Sequence, residues 1–160
     1  MEFRNKFFFL SNCFPCVIEN IDGVKFPSVE NAYQWCKEVD PNREFMPMHG
    51  SAAHNWTKYM TEASAFQAKK AGRRANMKAN WNEIKVEVMR RLLKQKFQAG
   101  TELGDRLRAT RNMKLEEGNL WHDNFWGVCY CSKCVGREDA QNMLGKLLME
   151  RREELRKEDK

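Results

Sequence analysis

The sequence predicts a mainly α (α+β) fold, a single compact helical domain over residues 1–160 with a small N-terminal β-hairpin. Three observations carry this. Residues 82–98 place Ile84, Val88, Met89, Leu92, Leu93 and Phe97 on one helical stripe, with Gly100 just beyond. The segment PSVENAYQWCK at 27–37 has Ser28 after a proline as N-cap and Glu30 in the first turn, where the helix dipole favours a carboxylate. Ahead of it, VIENIDGVKF sets Asp22-Gly23 between two apolar arms, the pattern of a two-residue hairpin turn.

In chain order, FFFL at 7–10 and the hairpin arms are expected to open the fold as a small sheet, and Pro27 ends the second arm. The helix at 27–37 then aligns Glu30, Tyr33, Gln34 and Lys37 along one face, so a carboxylate and an amine look into the same volume. Residues 40–60 contain two prolines and no sustained period, which predicts a loop with a short helix near its end. His49 and His54 lie there without a partner ligand at metal spacing and are read as solvated or capping residues. A helix over 61–71 is predicted, capped by Thr61 and stopped by Gly72, with Ala63, Ala68 and Ala71 as a small packing face. Its basic end, with Lys69, Lys70, Arg73 and Arg74 followed by Trp81, suits either a phosphate and a stacked base or a solvated corner beside a core tryptophan.

Beyond the amphipathic helix, a shorter helix over 101–109 turns Leu103 and Leu107 inward. LEEGNLWHDNFWG at 115–127 then brackets Trp121, His122, Asp123 and Trp126 between glycines, a density of aromatic and titratable groups that a connector does not need. A helix over 139–157 buries Leu144, Leu147, Leu148 and Leu155 and runs into a charged tail at about 152–160, expected to fray.

Composition bounds the function. The net charge of +6 favours an anionic partner, whether nucleic acid, nucleotide or sugar phosphate. No apolar run is long enough to span a bilayer and FFFL is too short for a signal peptide, so no membrane association and a cytoplasmic location are expected. The six cysteines have no secretory context and are read as reduced thiols. His122 with Cys129, Cys131 and Cys134 offers four zinc ligands, but C-x-C-x-x-C is tighter than the usual zinc ribbon. Small buried thiols beside a loop, with no metal, are the expectation.

The ordered blocks FLSNCFPC, GVKFPSVENAYQWCK, AKKAGRR, NWNEIKVEVM, LEEGN, HDNFWG and NMLGKLLMERR resemble the NADAR (YbiA-like) family over almost the whole chain. That resemblance implies a compact, mainly helical domain with a small β element that cleaves N-glycosidic bonds. The implied substrates are ADP-ribosylated guanine in nucleotide or nucleic acid, or phosphoribosylaminopyrimidine intermediates of riboflavin synthesis; a non-catalytic ADP-ribose or nucleic-acid-binding module is the remaining alternative. Neither a cofactor nor an obligate protein partner is implied.

The chemistry of ribosyl C–N cleavage makes the carboxylates Glu30 and Asp123 catalytic candidates, and the resemblance, which implies a catalytic lysine at this motif position, adds Lys37. Tyr33, Gln34, Lys69, Arg73, Arg74, Trp81, Glu117, Asn119, Trp126 and Gly127 are the substrate-binding candidates. The chemistry agrees: ribosyl C–N cleavage builds positive charge at C1′, which a carboxylate stabilises, and a neutral lysine captures an opened ribose as a Schiff base. The chain departs from the pattern at Cys13, often an aromatic, at Thr110-Arg111, often Thr-Gly, and in the VCYCSKC stretch around Cys129, Cys131 and Cys134, which inserts residues before the last helix. Arg111 is left as either a phosphate contact or a turn.

Overall fold

The computed structural model describes Phe3 and residues 5–47 and 50–158. Two compact units emerge, Asn12–Leu92 and Met1–Ser11 with Leu93–Lys160, the division falling inside one helix.

In the Asn12–Leu92 unit, strands β1 (Pro15–Glu19) and β2 (Lys25–Ser28) pair antiparallel, with Ile18 opposite Phe26 and both side chains buried. The connection is longer than the predicted two-residue turn. The Asn20 side chain accepts from the Asp22 and Val24 amides, and Gly23 takes φ 79°, which a glycine adopts without cost. Helix α1 (Val29–Lys37) follows directly, and Ser28 caps it as expected, its hydroxyl accepting from the Asn31 amide. Strands β3 (Glu44–Phe45) and β4 (His54–Asn55) form a second short antiparallel pair.

The helix predicted over 61–71 is two helices, α2 (Trp56–Glu62) and α3 (Ala65–Ala71). Ser64 makes a complete capping box with Gln67, so a new helix starts there and Thr61 lies inside α2. A 3-10 turn, Gly72–Arg74, continues α3. Helix α4 (Trp81–Lys96) carries the predicted stripe, with Met89, Leu92 and Leu93 buried.

In the other unit, FFFL belongs to a 3-10 helix, Asn5–Leu10, and not to a sheet. Phe9 meets Phe97 edge-on at 6.4 Å, and the Arg106 guanidinium lies 4.2 Å above the Phe9 ring. Helix α5 (Glu102–Ala109) is capped by the Thr101 side chain. Arg111 closes the turn after it at φ 49°, its amide donating to the Arg108 carbonyl. That geometry gives the turn reading of Arg111, in a left-handed conformation that a glycine adopts more easily. Strands β5 (Gly118–Asn119) and β6 (Val128–Cys129) pair parallel.

Helix α6 (Met143–Glu158) starts four residues later than predicted, after Asn142, whose φ of 47° is incompatible with an earlier helical start. Its charged end is helical through Glu158. Arg151 is buried and donates to the Phe97 carbonyl, while Arg152 reaches Thr110 and the Met113 carbonyl, so the start of the charged stretch is tied into the unit; the tail end expected to fray, at 159–160, lies outside the described residues. No helix among the described residues is long and apolar enough to cross a membrane.

Candidate functional site

Helix α1 is the carrier of the site in the Asn12–Leu92 unit. Asn31, fully buried, fixes it in place: its amide donates to the carbonyls of Met60 (2.9 Å) and Ala63 (2.8 Å), and its oxygen accepts from Ser28 Oγ. At the other end the segment 76–78 covers the last carbonyls of the helix. The Lys78 amide donates to Lys37 O, Lys78 Nζ to Cys36 O, and the Glu38 carboxylate accepts from the Asn76 amide. Glu38 is 1% exposed and is neutralised by Arg43 at 2.9 Å. A buried carboxylate needs such a partner to be tolerated, and this pair ties down the backbone at 40, 74 and 76 around the helix end, as Glu38 accepts from the Asp40 and Asn76 amides and Arg43 also donates to the Arg74 carbonyl.

Held this way, α1 presents Glu30, Gln34 and Lys37 in a chain of hydrogen bonds. Gln34 Nε2 donates to Glu30 Oε1 at 2.7 Å, and Lys37 Nζ donates to Gln34 Oε1 at 3.1 Å and to the Gly72 carbonyl at 3.1 Å. Glu30 is only 6% exposed. Burial pulls the Lys37 pKa below its ordinary value, and the Glu30 charge, pulling the other way, does not cancel it. The amine is thereby moved toward the neutral, nucleophilic form, and the carboxylate stays within the same bonded chain. Cys36, the next residue along, is a poor nucleophile: burial pushes its thiol up to about 11 against the lowering effect of Lys78.

Tyr33 and Trp81 are both buried, their rings 5.1 Å apart, so Trp81 walls the α1 side of this unit and is a core residue more than an open stacking platform. Arg74 directs its guanidinium to the Met46 and Pro47 carbonyls, which gives it a loop-holding job. Arg73 is exposed and Lys69 half-buried at the end of α3. Against the same helix lies a cavity of about 310 Å³, walled by His54, Tyr59, Phe66, Lys70 and Ala71. Ala71 precedes the very residue whose carbonyl receives Lys37. His54 sits half-buried in β4 on the cavity wall, its ring 5.6 Å from Tyr59; its companion His49 lies outside the described residues.

In the other unit the remaining candidates form one tight loop. Asn119 is buried and organises it: its Nδ2 donates to the Asp123 carbonyl at 2.7 Å, and its Oδ1 accepts from the Trp121 and Asp123 amides. Asp123 Oδ1 accepts from the Phe125 (3.1 Å) and Trp126 (2.8 Å) amides, which shapes the turn that carries Trp126. Gly127 is required by close approach, since a β-carbon there would stand 2.1 Å from the Glu117 carbonyl. Glu117 donates its amide to Asn142 Oδ1.

Sequence reasoning found α1 and its charged face. It missed Asn31, Glu38 and Gly72, whose parts depend on partners far along the chain. The signals were faint: a polar residue on the inner side of an amphipathic helix, and a glycine read only as a helix stop.

Comparison with known proteins places the chain. The N-glycosidase YbiA of Escherichia coli (strain K12) is 32% identical over 141 residues, covering 84% of this chain and 74% of that protein. A riboflavin biosynthesis protein of Vibrio vulnificus (strain YJ016) is 32% identical over 147 residues; these are 92% of this chain but 35% of the relative, so the chain spans about a third of that protein's length. The NMR structure of E. coli YbiA superposes with a TM-score of 0.75 at 28% identity, over 99% of this chain and 84% of that one. With residues 2–156 matching the family model of the NADAR domain, the chain belongs to the NADAR family, which has N-glycosidases among its members.

Proposed function

We propose that this protein is an N-glycosidase that hydrolyses a ribosyl C–N bond, releasing ADP-ribose from ADP-ribosylated guanine in nucleotide or nucleic acid. The observation that carries the reading is the half-buried amine of Lys37, its pKa lowered by burial, hydrogen-bonded through Gln34 to the buried Glu30. In the proposed sequence the neutral Nζ adds to C1′ as the C1′–N bond to the base breaks and the base leaves with its electron pair. Opening of the ribose ring turns the adduct into a Schiff base, and water then adds to C1′ and returns the amine. Glu30 stabilises the positive charge that builds on the sugar in a water-poor setting. The net charge of +6 suits a large polyanion, and the exposed Arg73 with Lys69 is the proposed phosphate contact. The cavity beside α3, with Tyr59 and Phe66 on its walls, is of a size to take a nucleobase.

A second reading, hydrolysis of a phosphoribosylaminopyrimidine, is favoured by one observation: relatives in Vibrio vulnificus and Zea mays carry riboflavin biosynthesis names. Incubation with ADP-ribosylated DNA and, separately, with the pyrimidine intermediate separates the two. Free ADP-ribose from the first substrate supports the primary reading and ribose phosphate from the second supports the other. Binding of ADP-ribosylated DNA with no product from either would show a non-catalytic module.

A further inference from the structure

His122, Cys129, Cys131 and Cys134 are separated in sequence and come together in space. The ligating atoms of all four lie within 4.8 Å of one another, with His122 Nδ1 at 3.2 Å from Cys134 Sγ and 3.3 Å from Cys131 Sγ. Tetrahedral zinc, with Zn–S near 2.3 Å and Zn–N near 2.0–2.1 Å, sets its donor atoms about 3.5–3.8 Å apart, so the group needs only small shifts to close around an ion. We infer that these four residues form a closed Cys3His site for one zinc ion, a structural site within the Leu93–Lys160 part of the chain.

The backbone is built for it. Cys131 and Cys134 bracket a turn in which the Cys134 and Val135 amides donate to the Cys131 carbonyl, and Gly136 at φ 82° lets the chain leave. Cys129 comes from the end of β6 and is held by its own amide donating to Asn124 Oδ1 at 3.0 Å. His122 adopts φ 66°, which turns its ring toward the sulfurs, and its amide donates to Cys129 Sγ at 3.3 Å, the kind of bond that supports a thiolate ligand. Cys129 and Cys134 are buried, which shields two of the three sulfurs from solvent, while Cys131 is half-buried and His122 exposed at the rim. Spacing alone misleads here: C-x-C-x-x-C is too tight to supply four ligands locally, but the parallel β5–β6 pairing returns His122 to the cysteines and completes the set. On binding, the thiol protons pass to solvent. Since Asp123 follows His122 directly, the ion would staple the loop that Asp123 and Asn119 shape.

The test uses the full chain, purified under reducing conditions with zinc supplied, and reads metal instead of activity. Elemental analysis is expected to give about one zinc per chain, and cobalt substituted for it to give the intense visible bands of a tetrahedral thiolate complex. Cys134→Ser should lose the metal while Cys16→Ser, at a thiol in the Asn12–Leu92 unit, keeps it. Should Cys134→Ser fail to fold, alkylation of the wild-type chain decides: zinc should protect Cys129, Cys131 and Cys134, and chelation should expose them. Substoichiometric zinc in the reduced wild-type protein, an octahedral cobalt spectrum, equal loading of Cys134→Ser, or alkylation indifferent to zinc would each overturn the site.

Discussion

The amide of Gln34 fills the space beside Gly72: a β-carbon at position 72 would stand 1.9 Å from Gln34 Oε1 and 2.5 Å from its Cδ. The φ at Gly72 is −58°, an ordinary helical value, so it is close approach and not backbone conformation that calls for glycine. The same amide oxygen and the Gly72 carbonyl are the two acceptors of Lys37 Nζ. Gly72→Ala therefore displaces the group that positions the amine. Overpacking should cost about 1–3 kcal/mol. Because misplacing a catalytic group by about 1 Å costs roughly 10²-fold, turnover should drop by about that much in a chain that still folds. Steady-state rates and thermal melts of the variant check both halves.

The two opposed influences on Lys37 predict a pH signature. If the neutral amine is the working form, the rate rises with pH through a pKa below the ordinary lysine value of 10.5. Glu30 holds that pKa up, so Glu30→Gln should move the rising limb to lower pH while reducing the maximal rate. Stability runs in the same direction. Below the lowered folded pKa the cost of burying the ammonium is fully present, and between that value and about 10.5 the unfolded chain binds the extra proton, so folding gains stability as pH rises. A rising limb in the same place for wild type and Glu30→Gln would mean that another group controls the rate.

Asn31 is a stability residue for the site. Replacing it by Ala strands the Met60 and Ala63 carbonyls that it now satisfies in the interior. Each buried polar group left unpaired costs about 1–3 kcal/mol. The midpoint of denaturant unfolding should fall by an amount corresponding to several kcal/mol, larger than for an exposed charge such as Lys70 on α3. A change under about 0.5 kcal/mol, the range of surface substitutions, would contradict the anchoring role.

Asp123 separates shape from charge. Asparagine keeps an oxygen to accept from the Phe125 and Trp126 amides, so Asp123→Asn should melt close to wild type yet lose most turnover. Asp123→Ala gives up both bonds and should also lower stability by about 1–2 kcal/mol. Near-normal rates in Asp123→Asn would reduce this residue to a turn former.

Much of this was legible in the sequence because the decisive signals are local. Ser28 capping α1 and the α4 stripe are written in neighbouring residues, and so is the common face of Glu30, Gln34 and Lys37. What was hidden depends on distant partners or on rival local signals. The apolar run FFFL is too short to distinguish a strand from the 3-10 turn it forms. The Ser64 capping box divides a stretch that has enough alanine to pass for one helix. Arg74 looks like a phosphate ligand until its bonds to the Met46 and Pro47 carbonyls are known. Gly72 looked like a stop because only the fold brings Gln34 against it.

The central claim is that Lys37 forms a bond to C1′ of the ribose, and the most direct measurement is borohydride trapping during turnover. Reduction converts a transient Schiff base into a stable secondary amine, so peptide mass analysis should find the sugar adduct on Lys37. Lys37→Arg keeps the positive charge but has no accessible neutral form, and it should show neither adduct nor appreciable turnover. An adduct mapped to another lysine, or ordinary activity in Lys37→Arg, would contradict the account and leave hydrolysis to water and the carboxylates.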